Sequence, residues 1–198
     1  LSESQPFRPL PRLTDRHYWP SLSLKWLYVQ GISNRSLVRF DFESQEQEWI
    51  DLGETKSGGS CDFSSDETRM ILREEHERGV RMFDLSDAPL EVIVDQQSVI
   101  VSHPDKITHL ALSTDGLKMA FSDSDQEVYT VSVPDMRGEK PRWIAKGDEE
   151  VFQLSFSEDG RWLAGGSLAQ VVMLWPLNET GSRKGDVLRL RGSPRGRS

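Results

Sequence analysis

The chain has a single cysteine and no long apolar run. With Cys61 alone among 198 residues, no disulfide can form within the chain, and the count fits a reducing compartment. No stretch of about 18 apolar residues occurs, so no transmembrane helix is expected. Residues 1–13 lack the apolar core that a secretory signal peptide needs. These absences predict a cytoplasmic protein without a membrane span.

Positive charge is scarce over most of the chain. The sequence has 24 basic and 32 acidic residues, a net charge of −8. Six basic residues and one acidic residue lie in 181–198, so this end carries +5 and residues 1–180 carry −13. An acidic body repels a phosphate backbone, which argues against nucleic acid as the main partner. The last residues, 193–198, are interpreted as a solvated basic tail.

Patterns that carry catalysis or bind metals are also missing. The four histidines do not fall at the spacing of a metal or catalytic set. Residues 74–77 are interpreted as a solvated charged turn, and the Gly-rich residues 57–60 lack the Lys of a phosphate loop and are interpreted as a flexible connection. No base flanks Cys61, which favours a buried, unreactive thiol. We therefore expect a protein that is not an enzyme and that uses no metal or cofactor.

One pattern, by contrast, occurs four times. The segments WPSLSLKW, FSSDETRM, LSTDGLKM and FSEDGRWL begin at Trp19, Phe63, Leu112 and Phe156, at intervals of 44, 49 and 44 residues. Each combines an apolar residue, a Ser or Pro, a turn cluster, a basic residue and an apolar run. A period in the forties indicates a repeat architecture.

Each repeat predicts four short strands and no helical periodicity. In the fourth repeat the strands are 151–156, 162–166, 171–175 and 186–190, and in the third 107–112, 118–122, 127–133 and 142–145. The second has 60–63, 69–73, 80–85 and 90–94, followed by a loop insertion over 95–104. The first has 26–29, 37–42 and 49–52, with an ill-defined opening strand around 16–19. Four antiparallel strands per unit are typical of a propeller blade.

The sequence thus predicts an all-β fold, a β-propeller with about four blades of four antiparallel strands. The predicted blades span 16–55, 56–97, 98–146 and 147–192, after an irregular N-terminal arm over 1–15.

These repeats resemble WD40 repeats, most closely in residues 156–177. In that family a repeat begins with Gly-His and ends with Trp-Asp. Here Ser102 and His103 stand at a Gly-His position, and Trp175 and Pro176 stand at a Trp-Asp position. The resemblance implies a structural network within each blade, whose matching positions in this chain are His103 with Asp125, together with Asp41, Asp84 and Trp175.

Two questions stay open at this point. Residues 112–122 followed by Val128 and Tyr129 are also similar to TolB-type propeller repeats, although Trp175 favours WD40. WD40 propellers usually close with about seven blades, so four blades predict an incomplete ring that is part of a larger chain. The alternatives are two copies that form an eight-bladed ring, or a closed four-bladed propeller. Open edges also predict self-association.

The resemblance implies a protein–protein interaction scaffold, part of a larger signalling or regulatory protein. The alternative is an accessory propeller of a hydrolase, TolB-like or peptidase-associated, that gates or binds a peptide substrate. A candidate partner-binding rim is predicted at one end of the blades. This end contains the connection into the first strand of each blade and the turn between its second and third strands. Its acidic balance favours a basic peptide or protein partner. The rim residues are His76, Arg78, Asp105, Asp148, Glu149, Glu150 and Gln170.

Overall fold

The fold consists of antiparallel sheets. The computed structural model describes residues 16–20, 26–31, 36–51, 57–74, 79–85, 99–133, 141–146, 151–167 and 169–192. Over these residues there are sixteen strands and no helix, and the strands form four sheets of four. The all-β prediction of four-stranded antiparallel sheets is confirmed. None of the described segments is a helix with the length and apolarity to cross a membrane.

The first two sheets are formed by residues 16–102. The first contains β1 (Arg16–Pro20), β2 (Trp26–Gly31), β3 (Ser36–Asp41) and β4 (Gln47–Asp51). The second contains β5 (Ser57–Phe63), β6 (Arg69–Glu74), β7 (Gly79–Asp84) and β8 (Val99–Ser102). In both sheets the strands lie side by side in chain order, as consecutive hairpins require.

The last two sheets repeat this arrangement. The third contains β9 (Ile107–Leu112), β10 (Lys118–Asp123), β11 (Glu127–Ser132) and β12 (Arg142–Lys146). The fourth contains β13 (Val151–Phe156), β14 (Trp162–Ser167), β15 (Val171–Pro176) and β16 (Leu188–Arg191). Alternation along these strands places one set of apolar residues on each face.

Two local predictions are wrong. The loop predicted over 95–104 contains β8, which pairs with β7 and so belongs to the second sheet. The strand predicted at 90–94 lies outside the described residues. Residues 57–60, predicted as a flexible connection, begin β5, where the register shifts between Ser57 and Cys61. Both errors arise because strand pairing depends on partners distant in sequence, which local composition does not reveal.

The repeated Ser-x-Asp pattern forms a turn. Between β9 and β10, the Ser113 hydroxyl donates to Asp115 Oδ1 at 2.6 Å and accepts from the Lys118 N–H at 2.8 Å. Gly116 holds a φ of 65° between them, a conformation that favours glycine. Ser64 with Asp66 and Ser157 with Asp159 form the same 2.6 Å bond. This bond lowers the pKa of Asp66 and of Asp159.

The four described sheets stack face to face in chain order, and over the described residues they do not close into a ring. Tyr28 of the first sheet packs on Phe63 of the second, with ring centroids 4.8 Å apart. Between the second and third sheets lie Ile71, Val80, Val101, Met119, Phe121 and Val131. Between the third and fourth lie Ala120, Val128, Ile144, Leu163, Met173 and Trp175. Burial of these apolar faces stabilises each sheet only through its neighbours.

Polar contacts also join neighbouring sheets. Asp62 Oδ2 on β5 accepts the Leu112 N–H at 2.8 Å, and Arg73 donates to the Ile107 carbonyl at 2.9 Å. Thr130 on β11 donates to the Gly181 carbonyl at 2.8 Å. Beside these contacts Cys61 is partly buried, and burial raises the pKa of its thiol, which agrees with an unreactive cysteine.

Candidate partner-binding end of the third and fourth sheets

The loops that join β8 to β9, β10 to β11 and β14 to β15 lie at one end of the third and fourth sheets. Antiparallel topology puts the start of a first strand beside the end of a second strand. A contact between the sheets agrees with this, because Ser122 at the end of β10 donates to the Val151 carbonyl at the start of β13, at 3.4 Å. We call this end, which is where the sequence places the candidate rim, the β10–β11 end.

His103 is the buried centre of this end. It follows β8, has a relative exposure of 7%, and packs edge-on against Phe121, with ring centroids 5.2 Å apart. Tyr129 covers it at 4.8 Å. Its Nδ1 accepts the Asp105 N–H at 3.3 Å, so the turn into β9 is tied to the imidazole. The ring therefore connects the entry to β9 with the faces of β10 and β11.

Asp123 is the carboxylate beside this histidine. It ends β10, is 1% exposed, and its Oδ2 lies 4.0 Å from His103 Nδ1. Its Oδ1 accepts the N–H groups of Asp125 and Glu127 at 3.0 and 2.9 Å, which closes the turn into β11. Oδ2 has no hydrogen-bond partner among the described residues. Burial raises the pKa of Asp123, because a charged carboxylate loses solvation there.

A second polar pair lies next to this one. Tyr129 donates its hydroxyl to Glu127 Oε2 at 2.6 Å, and Glu127 Oε1 lies 4.0 Å from Lys146 Nζ. Burial, together with the bond to Glu127, raises the pKa of Tyr129, so its hydroxyl stays a donor at neutral pH. Glu127 is consequently held at the edge of this end with its charge facing a lysine.

Asp123 gives a test of this arrangement. Asp123→Ala should destabilise the fold by about 1–2 kcal/mol, because two backbone donors lose their acceptor. Asp123→Asn keeps an acceptor and removes the charge. Because the pKa of Asp123 is raised in the folded state, the neutral carboxyl is favoured there. The stability that Asp123 contributes is fully present below its unfolded-state pKa, and it is lost as the pH rises through the folded-state pKa and the buried group becomes charged. The Asn variant should therefore be more stable than the wild type at pH 7, with the difference shrinking towards pH 4.

Urea unfolding of both variants between pH 4 and pH 8 measures these effects. Asp125→Ala is the matched control, because its side chain is exposed in the same turn, two residues after Asp123. An Asn variant less stable than the wild type at pH 7 would contradict a charge cost at this site.

The donor set here is also that of a cation site. His103, Asp105 and Asp123 each offer one ligand atom, and these atoms lie within 4.8 Å of one another. One nitrogen and two carboxylate oxygens suit a zinc-like ion. The Asp105 N–H already donates to Nδ1, however, so an ion bound through Nδ1 would have to displace this hydrogen bond. We assign the cluster to the structure of the turn.

The residues at the WD40-like positions lie in different sheets of the structure and differ in burial. The carboxylate near His103 is Asp123, whereas Asp125 is exposed in the turn. Asp41 is buried at the end of β3, where its Oδ1 accepts from Glu43 and Ser44 N–H at 2.7 and 3.0 Å. Trp175 is fully buried in β15. Asp84 ends β7, but its side chain lies outside the described part.

Of the predicted rim residues, the described part contains Asp105 and Gln170. Asp105 is half-buried beside His103, and Gln170 is exposed in the β14–β15 turn with a φ of 60°. The others lie outside the described residues: His76, Arg78, Asp148, Glu149 and Glu150. Among the described residues, the exposed or half-buried charges at this end of the third sheet are three acidic residues, Asp105, Asp125 and Glu127, and two basic ones, Lys106 and Lys146.

Sequence reasoning missed Asp123 as the partner of His103. Two aspartates, Asp123 and Asp125, lie close together in SDSDQE, and the WD40 resemblance selects the second. Strand alternation supplies part of the missing signal. It places Asp123 on the same face of β10 as Met119 and Phe121, which is the face that packs towards the second sheet.

A cleft of about 890 Å³ lies at the opposite end of the fourth sheet. It lies between the β13–β14 turn and the loop from β15 to β16, and its charged lining residues are Lys118, Asp159, Arg161, Glu179 and Lys184. Arg161 Nε lies 3.9 Å from Asp159 Oδ2, an exposed pair of small energetic value. The mixture of signs selects no single ligand charge.

Four-stranded antiparallel sheets stacked face to face define a β-propeller fold. Hsv2 from Kluyvelomyces marxianus, a β-propeller, is a similar solved structure, with a TM-score of 0.56 and 17% sequence identity. The match covers 77% of this chain and 46% of the Hsv2 chain, so this chain spans less than half of that protein. The scan of protein-family models and the search of curated proteins both return no match.

Proposed function

We propose that the chain is a non-catalytic protein-interaction scaffold that binds a basic peptide or protein segment at the β10–β11 end. One observation supports this most directly. Asp105 and Asp125 lie near the buried carboxylate of Asp123, and acidic side chains outnumber basic ones by three to two where the described turns of the third sheet meet solvent. Charge arranged in this way steers an oppositely charged partner and sets its orientation.

The rigidity of this end supports the same proposal. Asp123 closes the β10–β11 turn through two backbone bonds, and His103 holds the β8–β9 turn between Phe121 and Tyr129. A preorganised rim loses little conformational entropy when a partner binds. We propose the WD40 type for this scaffold, as part of a signalling or regulatory protein in the cytoplasm, on the strength of the repeat pattern.

Charge reversal at the rim is the test. A labelled peptide of alternating Lys and Arg should bind the chain at low salt, and Asp125→Lys should weaken binding about three- to tenfold. An exposed ion pair contributes up to about 1 kcal/mol, and the substitution replaces attraction with repulsion. Fluorescence anisotropy measures the affinity, with an acidic peptide of equal length as the reference ligand.

Glu158→Lys is the matched control. Glu158 is an exposed acidic residue in the β13–β14 turn, at the opposite end, and its substitution changes the net charge by the same amount. Equal weakening by the two variants would mean that only net charge matters and would contradict a site at the β10–β11 end.

A further inference from the structure

The cluster of His103, Asp105 and Asp123 contains one oxygen that the structure of the turn does not use. Asp123 is 1% exposed, and its Oδ1 closes the turn into β11 by accepting two backbone N–H groups. Its Oδ2 has no hydrogen-bond partner among the described residues and lies 4.0 Å from His103 Nδ1. Because a buried carboxylate oxygen without a partner costs free energy, this oxygen points to a ligand that completes the cluster.

The neighbouring atoms indicate what kind of ligand fits. Besides Oδ2, the cluster offers the imidazole of His103 and the carboxylate of Asp105, with one ligand atom of each within 4.8 Å of the others. Two carboxylates and a neutral imidazole carry two negative charges, which a divalent cation balances. Glu127 is not part of this set, because it accepts from Tyr129 and lies 4.0 Å from Lys146 Nζ. Mixed nitrogen and oxygen donors favour zinc and its first-row neighbours, whereas Mg²⁺ and Ca²⁺ prefer oxygen alone.

The surroundings of the cluster also favour a bound cation. His103 is 7% exposed, with the Phe121 and Tyr129 rings 5.2 and 4.8 Å from its own. Burial raises the pKa of Asp123, and a cation beside Oδ2 would offset the solvation that the charged carboxylate loses. Asp105 is half-buried, so the cluster meets solvent on that side and an ion has a path into it.

We propose that His103, Asp105 and Asp123 together bind a divalent cation of the zinc type. Three protein ligands leave a fourth position for water or for a group of a partner, as in open zinc sites. Sequence spacing does not reveal this set, because β9 and most of β10 lie between Asp105 and Asp123.

The hydrogen bond that an ion displaces is a small cost. The Asp105 N–H donates to His103 Nδ1 at 3.3 Å, and one such bond changes an equilibrium constant by about tenfold or less. A residue that merely supports a metal ligand already changes metal affinity about 10- to 100-fold, and a ligand itself contributes more. The freed N–H belongs to a half-buried residue, where water replaces the imidazole as its acceptor.

The ligands must close slightly around the ion. Ligand atoms of a tetrahedral zinc site lie about 3.4 Å apart, since each is about 2.1 Å from the metal. The separations in the cluster reach up to 4.8 Å, which leaves a closure of about 1 Å. Asp105 is the member best placed to move, because it lies on a turn and is half-buried, whereas packing fixes His103 and Asp123.

Isothermal titration calorimetry of the 198-residue chain with zinc chloride tests this proposal. One ion should bind per chain, and a titration with Co²⁺ should give visible absorption from ligated cobalt. Asp123→Asn and His103→Gln should each weaken zinc binding at least about tenfold, because each removes a ligand. Mg²⁺ and Ca²⁺ should bind more weakly than zinc. Zinc affinity should also fall as the pH is lowered, because the ligands must be deprotonated.

Two variants are matched controls. Asp125→Ala removes an exposed carboxylate from the same turn, and His109→Gln removes a histidine of β9 that packs against Phe152. Both should bind zinc as tightly as the wild type. Equal weakening by Asp125→Ala and Asp123→Asn would mean that only the acidic charge of this end attracts the ion, and this result would overturn the proposal.

Thermal unfolding with and without zinc separates loss of the ligand from loss of the fold. Zinc should raise the unfolding midpoint of the wild type and of both controls, but not that of folded Asp123→Asn or His103→Gln. A wild-type chain that binds no zinc at concentrations up to about 100 μM would overturn the proposal. Binding that survives both ligand variants would also overturn it, because other residues would then hold the ion. No peptide enters this test, so its result is independent of the proposed partner.

Discussion

Replacing Trp175 with alanine is expected to lower the free energy of unfolding by about 3–5 kcal/mol, the usual cost of truncating a buried aromatic side chain. Trp175 is fully buried in β15, within the cluster that joins the third and fourth sheets. Its ring fills the space left by Gly165, so truncation leaves a cavity that the neighbouring strands cannot close. Urea denaturation measured by circular dichroism gives the change.

Trp143→Ala is the matched control for this substitution. Trp143 lies on β12 with 52% of its surface exposed, and its ring contacts only the Arg183 guanidinium among the described ring contacts, at 6.0 Å. We expect a loss of no more than about 1 kcal/mol. Equal losses at the two positions would contradict the assignment of Trp175 to the core between the sheets.

Trp175→Phe separates packing from polarity. The indole Nε1 of Trp175 is buried without a hydrogen-bond partner among the described residues, and this unpaired donor offsets part of the packing energy. The phenylalanine variant should therefore retain most of the stability that the alanine variant loses. A phenylalanine variant as unstable as the alanine variant would indicate that the donor has a partner.

Gly165→Ala is expected to destabilise the fold by about 2–3 kcal/mol, through overpacking of the same core. A Cβ at this position would meet two ring atoms of Trp175 at 2.7 Å and Val151 Cγ1 at 3.0 Å. The ring is fully buried among residues of the third and fourth sheets, so any shift would disturb that packing. Chemical denaturation, with the same analysis as for Trp175, measures the effect.

The adjacent Gly166→Ala provides the comparison. A Cβ there has no neighbour within 4 Å, and the residue lies on the other face of β14, with Trp162 and Ala164. This variant should be neutral or slightly more stable, because alanine restricts the unfolded chain more than glycine does. If the Gly166 variant lost as much stability as the Gly165 variant, the assignment of the two strand faces would be wrong.

Most strands of the third and fourth sheets could be predicted from the sequence. The turn pattern recurs at a regular interval, and its Ser and Asp bond to each other and to the turn backbone within six residues. Local interactions of this kind are visible in the sequence itself. The second sheet was harder to predict because its fourth strand, β8, is separated from β7 by a connection without such a pattern.

The candidate site could be predicted only in part. The sequence places His103 before β9 and an aspartate in the β10–β11 turn. It does not decide which of Asp123 and Asp125 lies beside the ring, since that depends on which face of β10 packs on the second sheet. Burial then gives Asp123 its raised pKa, which follows from the environment of the residue and not from its type.

The sequence by itself determined the repeat, the strand class and the acidic balance of this protein, because these depend on local spacing and composition. Only the tertiary structure decided that Asp123 faces His103, that Trp175 fills the space over Gly165, and that Val172, Leu188 and Leu190 of the fourth sheet stay exposed. Each of these depends on contacts between residues far apart in the chain. Such contacts form only when whole sheets stack, and the stacking order decides which faces are covered.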